Sequence, residues 1–403
     1  MSLKSFEEAI AILSGISGSF GKERIYLEEA DDRILAENIY ADRDYPPFNR
    51  AAMDGYAIMQ EDWEKGIRTY KIIETIFTGQ PARYALSSGN CYKIMTGAAT
   101  PEMANAIIRR EDAEESENQV TLRAGALKNY QNIALKGEDS NTGSLLLSAP
   151  LKCTPQVIAL LATVGKATVE VYKRPKVAII TTGDEIVSPA AGISPFQIRN
   201  SNQYLLRSLL SQWKIRPVLC THVDDHKEKL TSILSAALET DLVIINGAVS
   251  AGDADHVPAV LQELGVKTLF HKVSIRPGKP ILIGKAISGA IVFALPGNPL
   301  SCLSTFIVFV EHYLYRCSGY EARPIQMLPV LKSRTKKHPL TEFFPVALGH
   351  SGGLSPISFN GSGDVTATIQ AHGLAMQPAA SLQLHKDELI TFYPFNPSFY
   401  SPL

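Results

Sequence analysis

The sequence predicts a multidomain α/β plus β protein built around a doubly wound, mostly parallel sheet. Three observations carry this. Between 175 and 321 short apolar runs alternate with amphipathic helical segments, the pattern of βαβ units. From 322 onward Pro/Gly turns separate short alternating segments such as Leu389–Phe395, which predicts a small all-β domain. Residues 45–137 carry strand signals and few helical ones.

Taken in order, Ser5 and Glu8 form a capping box that opens a helix with Phe6, Ala9, Ile10 and Leu13 on one face. Residues 22–43 read as mixed helix and extended chain. The paired prolines of DYPPF (44–48) end that pattern and mark a domain boundary. In 45–137, Tyr70–Ile76 alternates, and Asn105–Arg109 and Gln119–Arg123 flank the polar turn EESEN as a hairpin. A helix is expected over Pro155–Val164, ended by Gly165. Strands follow at Val177–Thr181, Val218–His222, Leu242–Ile245, Ile281–Ile283 and Ile291–Ala294, with Val266–Ser274 extended. Helices lie between them, including Val257–Leu264 and Ser301–Tyr315.

Composition excludes several classes of function. Lys+Arg is 39 against Asp+Glu 40, a net charge of -1, without the basic excess of a nucleic-acid binder or a polybasic membrane anchor. The 5 Cys show no CxxC spacing, so neither a disulfide framework nor a Cys-type zinc site is expected, and a reducing compartment fits. The opening MSLKSFEEAI carries two Glu where a signal peptide needs an apolar core. The apolar segment CLSTFIVFVEHYLY is interrupted by Glu311 and His312. A cytoplasmic protein is expected. P-loop, HxH and HExxH patterns do not occur, and there is no convincing GxGxxG and no GxSxG elbow of the serine-hydrolase kind.

In doubly wound sheets ligands bind beyond the carboxyl ends of the strands. After the first strand come Gly183, Asp184 and Glu185; after the second, Asp224 and Asp225; after the third, NGAVSAGDAD with Ser250, Gly252, Asp253 and Asp255. RPGKP brings Arg276, Gly278 and Lys279, and PGNPLS brings Pro296, Gly297, Asn298 and Ser301 into a helix start. Carboxylates facing a phosphate repel it unless a hard cation such as Mg²⁺ bridges them. The convergence suggests a metal-assisted site for a phosphorylated or nucleotide-like ligand. Singly, each signal has a plain structural reading. Asp224 and Asp225 can cap a helix, Asp184 and Glu185 can be solvated loop residues, and PGKP and PGNP can be tight turns.

Seven motifs in order, PPFNRAAMDGYAI (46–58), KIMTGAATP (93–101), GEDSNTG (137–143), TTGDEIV (181–187), INGAVSAGDADHV (245–257), RPGKP (276–280) and ALPGNPLS (294–301), resemble the molybdopterin molybdenumtransferases, MoeA and the E domain of gephyrin. GSGD (361–364) extends the match. The resemblance implies cleavage of adenylylated molybdopterin, insertion of molybdate and release of AMP, with Mg²⁺. It also implies a homodimer whose active site lies between one subunit's α/β domain and the other's second domain.

It divides the chain into a discontinuous linker/dimerisation domain (1–44 and 138–174), a strand-rich second domain (45–137), the α/β molybdopterin-binding domain (175–321) and a C-terminal β-barrel-like domain (322–403). Carried over, the catalytic acids are Asp54, Asp139, Glu185, Asp224 and Asp253, of which Glu185, Asp224 and Asp253 are the metal set. Thr96, Lys272, Arg276, Lys279 and Ser362 fall on binding positions. Molybdopterin adenylyltransferase and molybdoenzyme apoproteins are the expected partners. The chain departs from the family pattern at Asn49, Ala51, Ala134, Ala248 and Pro345. A non-catalytic molybdopterin-binding scaffold and an adenylyltransferase are the alternatives.

Overall fold

The computed structural model describes residues 3–16, 18–247, 256–350 and 352–396. They form two compact units: 1–25, 32–36 and 170–403 in the first, 26–31 and 37–169 in the second.

In the first unit, helix α1 (Phe6–Ile16) starts as its residues dictate. The Ser5 backbone N–H donates to Glu8 Oε2 (2.8 Å), and the Glu8 N–H donates to Ser5 Oγ (3.1 Å). Phe6, Ala9 and Leu13 are buried in the core that also takes the sheet's inner face and Phe343. Each such leucine-sized side chain contributes about 2 kcal/mol on leaving water. Residues 22–43 contain no α-helix, only short strands and a 3₁₀ turn, so that mixed expectation resolves to extended chain.

The central sheet comprises β1 (Val177–Thr182), β2 (Leu219–Val223), β3 (Leu242–Asn246), β4 (Lys267–His271), β5 (Leu282–Lys285) and β6 (Ile291–Leu295). Their order is 2-1-3-6-5-4. Every residue of β1, β3 and β6 is buried, as central strands covered on both faces require. Strands β2, β1, β3 and β6 are mutually parallel, while β5 runs antiparallel to both β6 and β4. The reason is connection length. Only residues 272–281 join β4 to β5, and only 286–290 join β5 to β6, too few for a parallel crossover.

Helices α2 (Asn202–Gln212), α3 (Lys227–Ala237) and α4 (Val257–Glu263) pack between strands. The last helix is longer than expected. It runs as α5 (Pro299–Thr305), a π segment (Phe306–Val310) and α6 (Glu311–Cys317). It is apolar nearly all round because it is buried nearly all round. Its two polar interruptions are partnered: Glu311 pairs with Arg323 at 2.7 Å, and His312 Nε2 lies 2.9 Å from Ser14 Oγ. The C-terminal β region pairs Gln326–Pro329, Thr341–Leu348, Gly373–Gln377 and Leu389–Pro394 into one antiparallel sheet.

The second unit holds a six-stranded sheet in the order 106–109, 55–58, 90–94, 69–76, 119–122, 113–116. The hairpin around EESEN joins Ala113–Ser116 to Gln119–Leu122, not 105–109 to 119–123. Glu117, at φ 49°, makes the tight turn. Ala113–Ser116 is an exposed edge and shows no apolar alternation, whereas Ala106–Arg109 is buried beside Gly55–Ile58.

Candidate functional site

The carboxyl ends of β1, β2, β3 and β6 form the rim that sequence placed at the chemistry. Gly183 leaves β1 with φ 132°, and a Cβ there would lie 2.7 Å from Glu185 Oε2, so the glutamate folds back over a glycine. The Asp225 N–H donates to Asp184 Oδ1 at 2.8 Å. The Asp225 carboxyl is raised above the ordinary range by burial and then by the negative charges of Asp184 and Glu185. Asp184, Glu185 and Asp225 thus share one rim.

Asp224 turns away. It is exposed, pairs with Lys229 Nζ at 2.9 Å and is held below the usual carboxylate range by that lysine. It faces an open cavity of about 520 Å³ lined also by His222, Glu228 and Ile233. Neither aspartate caps α3, whose N-cap residue is His226 with no side-chain cap. Asp253, with Ser250, Gly252 and Ala248, lies outside the described residues.

Among the described residues no three His, Cys, Asp or Glu side chains form a metal-binding group. The acidic side chains gathered here offer carboxylate oxygens, and burial and the neighbouring charges on Asp225 outweigh the Asp184 backbone bond and His256 that oppose them. That donor set suits a hard cation that takes one or two carboxylates and completes its shell with water and ligand oxygens.

The carboxyl end of β4, at the opposite edge of the sheet, leads into a pinned cationic loop. The Lys272 N–H donates to the Ile281 carbonyl and the Val273 N–H to that of Lys279, both at 2.9 Å, closing the base of RPGKP. Gly278, at φ 103°, approaches α5 so closely that a Cβ would sit 2.5 Å from Thr305 Cγ2. Arg276 and Lys279 are exposed, and Lys272 is half-buried. None of the three has an ion-pair partner among the described residues.

PGNP lies next to α5. Asn298 Nδ2 donates to Ser362 Oγ (2.9 Å), and the Leu300 N–H donates to the Ser362 carbonyl (3.0 Å). The GSGD turn that presents Ser362 is tied by Asp364, which accepts from the backbone N–H groups of Asn360, Thr366 and Ala367 and from Thr366 Oγ1. Pro345 is buried inside the strand Thr341–Leu348.

In the second unit, Asp54 Oδ1 accepts from both the N–H and Oγ1 of Thr96, each at 2.7 Å. These bonds hold the Asp54 carboxyl below its ordinary range. The sequence builds this pair directly. Asp54 precedes strand Gly55–Ile58, Thr96 follows strand Asn90–Ile94, and the two strands are antiparallel neighbours. A Cβ on Gly55 would lie 2.1 Å from the Ile108 carbonyl oxygen, so only glycine fits beside Asp54.

Asp44 repeats the device, accepting from the N–H and Oγ1 of Thr142 at 2.8 Å each. Asp139 is exposed, and its N–H donates to the Tyr45 carbonyl. Asn49 Oδ1 accepts from the Lys136 N–H, and Ala134 pairs across from Arg50.

Sequence reasoning placed Asp225 on the rim without giving it a role, and did not single out Asp44, Asn202 or Asn246. Asp44 had a usable signal, since Asp44 and Thr142 lie inside the quoted DYPPF and GEDSNTG motifs. The two asparagines needed geometry.

Residues 4–165 match the family model described as MoeA N-terminal region (domain I and II), and residues 178–316 match that described as probable molybdopterin binding domain. The molybdopterin molybdenumtransferase of Staphylococcus epidermidis is 33% identical over 89% of this chain and 87% of its own length. That of Staphylococcus aureus is 33% identical over 93% and 91%. Among solved structures, the molybdopterin biosynthesis MoeA protein from Pyrococcus horikoshii superposes at TM-scores of 0.81 (32% identity, 98% of this chain and 99% of that one) and 0.82 (28%, 97% and 100%) in two structures. On this likeness, which spans nearly the whole chain, the protein belongs to the molybdopterin molybdenumtransferase family.

Proposed function

We propose that this chain inserts molybdenum into adenylylated molybdopterin with cleavage of the pyrophosphate and release of AMP. The observation that carries this reading is the pinned RPGKP loop, with Arg276 and Lys279 unpaired and exposed, on the same carboxyl-end side of the sheet as the carboxylates that follow β1 and β2. Free cations on a fixed loop suit a ligand rich in anionic oxygen, here a pyrophosphate and an oxyanion.

Lys272, Arg276 and Lys279 bind these oxygens and offset the charge that builds on the leaving phosphate. Glu185 and Asp225, with Asp253, hold Mg²⁺, which when bound supplies charge neutralisation between carboxylates and phosphate oxygens. Asp224 enters that shell only by exchanging Lys229 for the cation. Asn298 and Ser362 orient the pterin end of the substrate. Asp54, kept ionised by Thr96 in the second domain of a partner copy in a homodimer, holds a fixed negative charge toward the reacting group, and Asp139 acts from that copy's linker domain. The four-domain division, a cytoplasmic location, and contacts with the adenylyltransferase and molybdoenzyme apoproteins belong to the same reading.

The test mixes purified protein with adenylylated molybdopterin and measures AMP with and without molybdate and Mg²⁺. Release that needs both supports the proposal. Tight pterin binding with no AMP release overturns it in favour of a scaffold.

A further inference from the structure

We propose that Asn202 and Asn246 form a positioning clamp that fixes the Pro296–Ser301 turn against the end of β3. Its catalytic consequence rests on the function proposed above; the clamp itself does not.

The backbone ladder between β3 and β6 ends at the pair Asn246 and Leu295, with one further bond from the Gly247 N–H to the Leu295 carbonyl at 3.2 Å. Beyond it the chains diverge. Among the described residues the carbonyls of Pro296 and Gly297 receive no backbone donor. Two side-chain amides replace the missing rungs. Asn246 Nδ2 donates to the Pro296 carbonyl at 2.8 Å. Asn202 Nδ2 donates both to the Gly297 carbonyl, at 2.6 Å, and to Asn246 Oδ1, at 2.8 Å. Asn246 is 1% exposed and Asn202 7%, so the pair works without competition from water.

The arrangement is held at a cost. Asn202 Oδ1 is buried without a hydrogen-bond partner. A flipped amide would aim that oxygen at two carbonyl-type acceptors, so the two donations dictate the orientation and the oxygen stays bare. A residue serving only the core would not need two donors on one nitrogen.

Asn202 is also the first residue of α2, so the clamp joins three elements: the start of α2, the end of β3 and the turn after β6. The turn in turn carries Asn298 and Leu300, which hold Ser362. The turn and the end of β3 lie side by side, since a Cβ on Gly297 would make an ordinary van der Waals contact with the Gly247 Cα, at 3.7 Å.

The experiment compares Asn202→Leu, Asn246→Leu and the double variant by thermal melting, amide exchange of the segment 296–305, and AMP release. Each single change orphans a buried carboxamide and lowers the melt. The double lowers it by less than the sum of the two singles, because the amide–amide bond is lost only once, but it does not recover, since the Pro296 and Gly297 carbonyls still lack donors. All three exchange the Leu300 N–H, which bonds the Ser362 carbonyl, at least about tenfold faster, while 242–246 and 291–295 exchange as in the unaltered protein. AMP release, measured well below each variant's melt, falls about 100-fold, the loss expected when site groups are misplaced by an ångström. Asn202→Ser, a milder change that keeps one donor, gives an intermediate exchange rate should the leucine variants fail to fold.

Unaltered exchange at Leu300 in these variants overturns the clamp, as does AMP release that stays at the unaltered rate while the variants are folded. If the unaltered protein itself releases no AMP, the functional reading fails, and the exchange measurements still decide the clamp.

Discussion

Asp54 and Asp225 are both aspartates at strand ends, and their surroundings push them in opposite directions. Asp54 receives two bonds from Thr96 and stays charged below the usual range. Asp225 is partly buried beside Asp184 and Glu185 and is pushed up. The difference separates two ways of using a carboxylate. One is already satisfied and can hold a fixed charge toward a reacting group. The other sits partly buried against two like charges, a setting that a bound cation would relieve.

The Asp54 edge depends on a backbone contact, and breaking it gives the largest expected effect. Gly55→Ala places a methyl 2.1 Å from the Ile108 carbonyl and parts the two strands. A stability loss of about 3 kcal/mol is expected, read from the urea midpoint. An unchanged midpoint would show that the strand pair is not what positions Asp54.

Next in size is the cationic loop after β4. Lys279→Ala and Arg276→Ala should each lower kcat/KM for AMP release about 100-fold with little change in melting, since both side chains are exposed and unpaired. A parallel fall in melting temperature would make the loop a structural element instead.

Thr96→Val removes the hydroxyl bond and leaves the N–H bond, so the Asp54 pKa should climb partway toward its ordinary value, followed by NMR titration of the carboxyl carbon. The sign follows from linkage. A depressed folded-state pKa stabilises above the unfolded value, and that contribution is lost as pH falls through the folded one. The variant should therefore lose a slightly smaller share of its stability on acidification.

The α/β centre was legible because β1, β3 and β6 are buried on both faces and write themselves as unbroken apolar runs. The antiparallel pairing of β5 was hidden in loop length, and the edge strand Ala113–Ser116 in its exposure. The rim was legible as a list of residues following strands, but not as directions. Adjacent aspartates in one loop point opposite ways, Asp224 to Lys229 and Asp225 to Asp184, and no spacing rule separates them. Asn202 and Asn246 are 44 residues apart in sequence and meet only because α2 and β3 converge.

The smallest effect tests the acid rim itself. Asp225 has a raised folded-state pKa, so its contribution to stability is complete below the unfolded value near 3.8 and is lost as pH rises through the folded value. At neutral pH the ionised group opposes folding. Asp225→Asn removes that charge while keeping the N–H that bonds Asp184, and it should stabilise the protein at pH 7 by no more than about 1 kcal/mol, the scale of a like-charge contact open to solvent. Added Mg²⁺ should raise the melting temperature of the unaltered protein and close the gap between the two, because the cation does for three carboxylates what the asparagine does for one. A variant less stable than the parent at every pH would mean that Asp225 is held by partners rather than strained by neighbours, and the contrast with Asp54 would disappear.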